Sequence, residues 1–408
     1  MRFLRYGLTV FSALSLFNCG GTPKNNTDIE RIDAFSVKAR AINLTEIADS
    51  IRYIQLQAPD LDSYISNDWI DVSFIGDNIY IYQDADVYET LFHFSNTGEY
   101  ISRINTPGEG PGKIVSGNDY LIDAENEFVE ILDNYQRKIV TFDINTGEIV
   151  KEIATPQPFR KFKKSENNYL FFMGNGVDSP DTSGYYNLFL TDFEYNILQK
   201  EEPIPPYLLD YRIKDYNFSN NFKEEYLFKS FLSNKIYSYK EGALALKYII
   251  DFGPNWVNQA VLSQLSMNNE RGQRRKLLYD NKDHIYHIVN VLQTSKYVIF
   301  TYWFKEEFNW AFYDKETKKI AIYDNKYNNL DYGPVGQDRF LPITAYEDYL
   351  VFIIPSEDVK YHFESMIRNN SQEEIGKRRN TSMFSIFEKT VANLKEYDNP
   401  VLALVKLK

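Results

Sequence analysis

Cysteine is almost absent from this chain, since Cys19 is the only one among 408 residues. No internal disulfide can form, and a zinc site built on several cysteines is excluded. Histidine is scarce too, with four residues, of which His284 and His287 stand three apart. Residues at that spacing on a strand point to opposite faces, so the pair cannot hold one ion directly. The composition therefore predicts no metal and no cofactor.

The chain also has fewer positive than negative side chains, and it lacks the common catalytic motifs. Lys and Arg number 45 against 57 Asp and Glu, which gives a net charge of −12. Nucleic acid is not expected as a partner, because phosphate binding needs a basic surface. The chain contains no G-x-S-x-G motif, no H-E-x-x-H motif and no Cys–His pair. No catalytic residue is therefore predicted from these patterns.

A glycine-rich stretch, Gly108-Glu-Gly110-Pro-Gly112-Lys113, resembles a phosphate-binding loop only superficially. Pro107 stands where the phosphate-loop spacing needs Gly, and Ile114 replaces the Ser or Thr that would hold magnesium. We interpret the stretch as a tight loop whose glycines supply positive φ. It joins two repeats, which would place Glu109 beside the central channel.

The long hydrophobic run of the chain lies at its start. Arg2 and Arg5 precede an apolar segment from Leu8 to Phe17, which is typical of a signal peptide. Cys19 follows directly in Leu16-Phe-Asn-Cys19-Gly, which resembles a relaxed lipobox. The interpretation is a signal peptide over residues 1–18 and a lipid-anchored tether over 19–40. We expect export and membrane attachment through lipid on Cys19. The outer membrane is favoured, and the sequence does not distinguish its periplasmic face from its surface face. Cleavage by an ordinary signal peptidase is the alternative, although no A-x-A-like site is visible.

What the chain does have is a recurring pattern of two hydrophobic runs around a polar turn. The clearest copies are Phe94-Ser-Asn-Thr-Gly98-Glu-Tyr-Ile-Ser-Arg-Ile104 and Phe142-Asp-Ile-Asn-Thr-Gly147-Glu-Ile-Val-Lys-Glu-Ile153. Weaker copies begin at Phe193, Tyr239 and Tyr313. Gly98 and Gly147 are 49 residues apart, and so are Gly147 and Asn196. A period of that size built from short strands is typical of a β-propeller.

The repeats predict an all-β, six-bladed β-propeller over residues 41–408. We expect the early strand from Ile51 to Gln57 to pair with the strand at the C-terminus and so close the ring. Helical spacing interrupts the β pattern at about 255–280 and 359–394, which we interpret as helical insertions on one rim. The six units are Trp69–Ile104, Asn118–Ile153, Phe159–Ile204, Tyr216–Phe252, His284–Tyr323, and a last one from Arg339 that the terminal strands complete.

Several of these features together resemble one known family. They are the signal segment with Cys19, the early Ile51 strand, the Gly108–Ile114 loop and the ending Asp398-Asn-Pro-Val-Leu-Ala-Leu-Val-Lys-Leu-Lys408. The chain is similar along its mature length to the six-bladed β-propeller lipoproteins of the Bacteroides group, relatives of the NHL-repeat propellers. The family loop usually reads G-x-G-P-G-E-Y, from which Lys113-Ile114 departs. The resemblance implies a fold and a location more than a function.

Residues at the starts of the inner strands are the candidates for binding, since these strands surround the channel. They are Trp69, Glu109, Asn118, Arg160, Asn217, His284 and Arg339. Aromatic, amide and guanidinium groups suit a glycan or a peptide. We therefore expect a non-catalytic binding or scaffold module. The alternatives are a hydrolase or lyase acting on a glycan or peptide in the central cleft, and a subunit of an envelope protein complex.

Overall fold

The computed structural model describes residues 29–66, 69–84, 89–176, 184–209, 211, 218–267, 271–337, 339–395 and 398–408. Cys19 and Asn217 lie outside these ranges. The described part is mostly β and consists of small antiparallel sheets, which confirms the prediction at that level.

The first three strands do not form a sheet of their own. They are β1 (Glu30–Asp33), β2 (Arg40–Asn43) and β3 (Ala48–Gln55), with the short helix α1 (Leu44–Ile47) between the last two. Each joins the edge of a sheet built from a later part of the chain. The part of the predicted tether from residue 30 onward therefore contains a paired strand.

Three consecutive four-stranded sheets follow along the chain. Sheet 1 contains β4 (Trp69–Ile75), β5 (Asn78–Asp84), β6 (Thr90–Ser95) and β7 (Tyr100–Ile104). Sheet 2 contains β8 (Gly117–Asp123), β9 (Phe128–Asp133), β10 (Lys138–Asp143) and β11 (Ile149–Ala154). Sheet 3 contains β12 (Lys161–Lys164), β13 (Tyr169–Phe172), β14 (Tyr186–Thr191) and β15 (Ile197–Pro203). In each sheet every strand pairs with its neighbour in sequence.

The other three sheets each take up one N-terminal strand. Sheet 4 contains β16 (Glu225–Lys229), β17 (Lys235–Lys240) and β18 (Ala243–Asp251), and β1 adds to β18 in parallel. Sheet 5 contains β19 (Ile288–Gln293), β20 (Tyr297–Phe304), β21 (Glu307–Asp314) and β22 (Ile320–Tyr327), and β2 adds to β22 in parallel. Sheet 6 contains β23 (Thr344–Tyr346), β24 (Tyr349–Ile354) and β25 (Val401–Leu407), and β3 pairs with β25 in antiparallel register.

The sequence repeat corresponds to one turn in each of the first five sheets. It is the turn before the last antiparallel strand, for example between β10 and β11. There the Asp143 Oδ1 atom accepts hydrogen bonds from the backbone N–H groups of Asn145 and Thr146, and Gly147 has a φ of 71°. Asp314 does the same between β21 and β22. The repeat is therefore a turn signal, since Asp side chains stabilise such turns and Gly tolerates positive φ.

Six hydrophobic cores lie between the sheets. Each core combines side chains of two sheets that follow one another, as when Leu132 and Ile139 of sheet 2 pack with Phe162 and Phe171 of sheet 3. The core between sheets 6 and 1 contains Ile54 and Leu402 together with Ile79 and Phe92. The order of packing therefore returns from the last sheet to the first.

Within the described residues, five helices occupy the two stretches expected to be helical. They are α2 (Gln259–Met267), α3 (Arg271–Asp280), α4 (Ser356–Asn369), α5 (Gln372–Arg379) and α6 (Ser382–Asn393). Helix α2 buries Val261 and Leu265 against Leu208 and Phe231, which lie in the connections on either side of β16. Helix α6 places Phe387 against Tyr53 of β3, with ring centroids 5.4 Å apart. Helix α6 thus packs on sheet 6, and α2 packs on the connections around β16.

Candidate functional site

A cavity of about 480 Å³ lies where the innermost strands of several sheets meet. Its walls come from β4, β8, β12 and β23, and from residues 218–226 at the start of sheet 4. The lining lies mainly in the middle and at the carboxyl ends of these strands, for example Asp71 to Ile75 of β4. This axial cavity is the candidate functional site.

Two aspartates and two lysines face each other on one side of the axial cavity. Asp119 is only 4% exposed, and its Oδ2 atom accepts hydrogen bonds from Lys163 Nζ at 3.0 Å and from the backbone N–H of Phe162 at 2.9 Å. Lys161 Nζ lies 3.9 Å from Asp119 Oδ1 and 3.7 Å from Asp71 Oδ2. The group, called here the axial charge cluster (Asp71, Asp119, Lys161, Lys163), contains equal numbers of opposite charges. Such balance is what permits charges to be buried.

Burial disfavours the ionised form of Asp71 in the axial charge cluster. Burial raises its pKa, and the negative charge of Asp119 raises it further, whereas Lys161 and Lys163 lower it. The net direction is upward from the ordinary value. Asp71 therefore holds its proton to a higher pH than an exposed aspartate does.

Tyrosine hydroxyls make up another part of the wall. Tyr120 Oη and Ser73 Oγ lie 2.7 Å apart, so one donates to the other. Burial, with a contribution from Asp71, raises the pKa of Tyr120, and burial raises the pKa of Tyr226 to about 12. Both tyrosines therefore remain neutral and can donate or accept hydrogen bonds. Lys163 Nζ stands 5.6 Å from the Tyr226 ring centroid, close enough for a cation–π contact.

The outer edge of the axial cavity is formed by hairpin turns and aromatic rings. Phe74 and Tyr346 stack with centroids 4.8 Å apart. Lys223, Glu224 and Glu347 lie in turns, and all three have positive φ between 51° and 62°. This edge, called here the cavity mouth, combines flat apolar surfaces with charged groups.

The residues proposed from sequence lie apart from this lining. Trp69 begins β4, Arg160 immediately precedes β12, and Asn118 lies at a bulge of β8 between Gly117 and Asp119. His284 Nε2 lies 3.1 Å from Asn258 Nδ2, and Arg339 donates a 2.7 Å hydrogen bond to Asp358.

Glu109 is exposed in its glycine-rich loop, and Asn217 is outside the described residues. None of the six described candidates is among the residues that line the axial cavity. Their binding role stays a prediction. Two of them come within one position of the lining in sequence, since Asn118 directly precedes Asp119 and Arg160 directly precedes Lys161.

The axial charge cluster was not found from sequence, although a signal for it exists. Two inner strands carry polar residues at alternate positions: Asp71 and Ser73 on β4, and Lys161 and Lys163 on β12. Alternate residues of a strand share one face. In strands covered by neighbouring sheets, a polar face indicates an axial cavity rather than the protein surface.

Two features absent from the described residues bear on the kind of site. Within them, no three His, Cys, Asp or Glu side chains are grouped so that they could hold a metal ion. Among the described helices, none combines the length and hydrophobicity needed to cross a membrane.

The fold and the axial cavity define a propeller-like β protein with a polar centre. A family model matches residues 28–406, and the chain belongs to this family, DUF4934, a domain of unknown function. No curated protein matches the sequence significantly.

Solved structures support the fold. A Bacteroides fragilis protein named as an exported protein superimposes with a TM-score of 0.70 at 16% identity, covering 93% of this chain and 99% of that one. A member of the DUF4221 family from Bacteroides vulgatus gives a TM-score of 0.50 at 10% identity, covering 88% and 97%. At these identities the likeness concerns the fold alone.

Proposed function

We propose that this chain is an exported binding or scaffold module that holds a polar ligand in its axial cavity without transforming it. The observation that carries the proposal is the lining of the axial cavity, where the axial charge cluster lies beside Ser73, Tyr120 and Tyr226 in a volume of about 480 Å³. The buried charges are paired with one another, since unpaired they would cost stability. The hydroxyl, lysine and carboxylate groups offer many hydrogen-bond partners to a glycan or peptide, and Phe74 and Tyr346 add apolar surface.

The architecture proposed for this module is a closed six-bladed propeller. Six cores that follow one another around the molecule support it, as does the pairing of β3 with β25, for example Ile54 with Leu402. A closed ring leaves no open end and gives the inner strands a common axis. Deleting the last eight residues should then prevent stable folding of the whole chain. A truncated chain that still unfolds in one cooperative transition would count against closure.

A ligand screen tests the binding role. We expect thermal shifts with particular glycans or peptides, and we expect Tyr226→Ala to abolish them because it removes part of the cavity wall. Tyr135→Ala is the matched control, because Tyr135 is 68% exposed and does not line the cavity. Hits that respond equally to both variants would show that binding occurs elsewhere. Chemical analysis of the recovered ligand then detects any turnover.

Asp71 supports a second candidate, a hydrolase or lyase acting in the same cavity. An aspartate whose pKa is raised by burial holds its proton to a higher pH and can therefore serve as a general acid. In that case Asp71→Asn should remove turnover of a bound glycan or peptide and leave its binding nearly unchanged. Unaltered recovery of every ligand from wild-type protein supports the binding module instead.

Export and anchoring complete the proposal. The N-terminal pattern up to Cys19 supports both, and the name of the Bacteroides fragilis relative supports export. We expect the mature protein to be held to the outer membrane by lipid on Cys19, with an envelope protein as a further possible partner. Cys19→Ser should release the protein from membrane fractions. Continued sedimentation of this variant with lipid would overturn the anchor.

A further inference from the structure

Several lysines come together beside the cavity mouth, two of them at the ring of Phe222. Lys315 Nζ lies 4.4 Å from the ring centroid and Lys223 Nζ lies 5.4 Å from it. Lys247 joins them through Glu225, whose Oε1 atom is 2.6 Å from Lys247 Nζ. We call this group the mouth lysines (Lys223, Lys247, Lys315). Lys223 itself lines the axial cavity, so the group borders the candidate site directly.

The carboxylates near the mouth lysines are already engaged. Glu225 accepts from Lys247 and from Ser238, and Asp348 accepts from the backbone N–H and the hydroxyl of Ser295. Lys315 donates to the carbonyl of Thr294 at 2.6 Å, which is a neutral partner. Among the described residues, no ion pair joins Lys223 or Lys315 to a carboxylate.

Two more carboxylates, Glu224 and Glu347, line the same edge, but both are exposed. No ion pair of the described residues connects them with the mouth lysines. Among the described residues, Glu225 is therefore the one carboxylate that forms an ion pair with a mouth lysine, and that lysine is Lys247.

The electrostatic cost of this arrangement is visible at Lys315. The pKa of Lys315 is lowered to about 8, chiefly by burial and then by the positive charges of Lys247 and Lys223, while Glu225 and Asp348 act in the opposite direction. Like charges this close repel one another and destabilise the folded chain. In a chain with a net charge of −12, such a concentration of lysines is out of keeping with the rest of the molecule. A bound anion would relieve the repulsion.

We infer that the mouth lysines bind the carboxylate or sulfate group of a small acidic saccharide whose neutral part enters the axial cavity. This deepens the proposed function and rests on it. A saccharide is favoured over a peptide because the cavity walls are polar on several sides, while Phe74 and Tyr346 offer a flat surface to a sugar ring. Charge-assisted hydrogen bonds from lysine ammonium groups are the expected contacts with the acid group.

The test compares D-glucuronate with D-glucose, which lacks the carboxylate. Full-length mature protein is titrated with each sugar and with inorganic sulfate, and the Lys315 side chain is followed by NMR with lysine labelled at Cε. Glucuronate and sulfate should raise the Lys315 titration midpoint, since a nearby anion favours the charged form. Glucose should leave it unchanged. An equal response to glucuronate and glucose overturns the inference.

Two lysine variants test which side chains contact the carboxylate of the bound sugar. Lys223→Met and Lys315→Met should each weaken glucuronate binding by about tenfold, the loss of one charge-assisted hydrogen bond. The control is Lys151→Met, which makes the same change on the exposed strand β11. Unchanged binding in both mouth variants, together with loss in Tyr226→Ala, would overturn this inference and leave the cavity proposal standing. Unchanged glucuronate binding in the mouth variants and in Tyr226→Ala would contradict both this inference and the cavity proposal. Binding of a glutamyl dipeptide but not of glucuronate would overturn the choice of a saccharide.

Discussion

Two groups of charged residues lie in or beside the same cavity under different electrostatic conditions. In the axial charge cluster two lysines face two aspartates, and Asp119 is satisfied by Lys163 and by a backbone N–H. Among the mouth lysines, Lys247 pairs with Glu225, whereas no ion pair of the described residues holds Lys223 or Lys315. The comparison teaches that the paired charges of the first group stabilise the fold, and that the lysines without an ion-pair partner in the described part of the chain are the ones able to hold an anionic ligand.

The largest effect should come from breaking the balance of the axial charge cluster. Lys163→Met leaves Asp119 buried with a weaker partner, and removing one member of a buried pair costs about 3 kcal/mol. Urea unfolding of the variant against wild type measures the loss. The double variant Asp119→Asn with Lys163→Met should recover part of it. A single variant less than about 1 kcal/mol below wild type would show that the pair is not important for stability.

Removing the one close carboxylate of the mouth should have a smaller effect. Glu225→Gln deletes the partner of Lys247 and should cost about 1 kcal/mol. Because the lysines then repel without compensation, added salt should recover much of the loss. Unfolding at low and high salt measures this recovery. The control is Glu306→Gln, which breaks the exposed pair with Lys282. If salt restored the stability of Glu225→Gln and Glu306→Gln equally, the mouth lysines would not repel one another more than exposed surface charges do.

A still smaller effect should appear in the pH dependence of stability. Lys315 has a pKa of about 8 in the folded protein, below its ordinary value, so the unfolded chain binds more protons between these two values. Stability from this group should rise as pH increases above about 8 and should be lower below it. Wild type is compared with Lys315→Met between about pH 8 and pH 10. Parallel curves for the two proteins would mean that Lys315 titrates normally.

The smallest change is expected at Asp71. Burial raises its pKa, so its ionised form contributes unfavourably, and stability from this group falls as pH rises from the ordinary value through the raised one. Asp71→Asn should therefore lie within about 0.5 kcal/mol of wild type at neutral pH. The variant should also lack the decline that wild type shows on leaving acidic pH. A large loss of stability would show that the pairing with Lys161 outweighs the burial.

Much of the fold followed from local chemistry. The predicted unit from Trp69 to Ile104 coincides with the span of sheet 1, because turns such as Ser95–Glu99 are encoded by the residues within them. Strands β1 and β2 were not anticipated. They are four residues each, carry charged side chains, and gain their pairing only from distant strands. Such pairing leaves no periodic pattern in the sequence.

The candidate site was harder to predict than the fold. Asp71 and Lys161 are 90 residues apart in the chain, and each alone is an ordinary polar residue of a strand. Only the convergence of several inner strands brings them within 3.7 Å. The starts of those strands were expected to surround the channel mouth. The lining instead extends along the strands, as from Asp71 to Ile75 of β4, and it leaves out Trp69, Asn118 and Arg160.

The way the N-terminal segment is distributed has a mechanical consequence. Strands β1, β2 and β3 lie in succession on sheets 4, 5 and 6. The segment from Glu30 to Gln55 therefore connects three of the sheets. Tension applied at the start of the chain would first peel β1 from β18 and reach β3 only after β2 had yielded. Sheets 1 to 3, which hold the aspartates of the axial cavity, would be the last to feel the load.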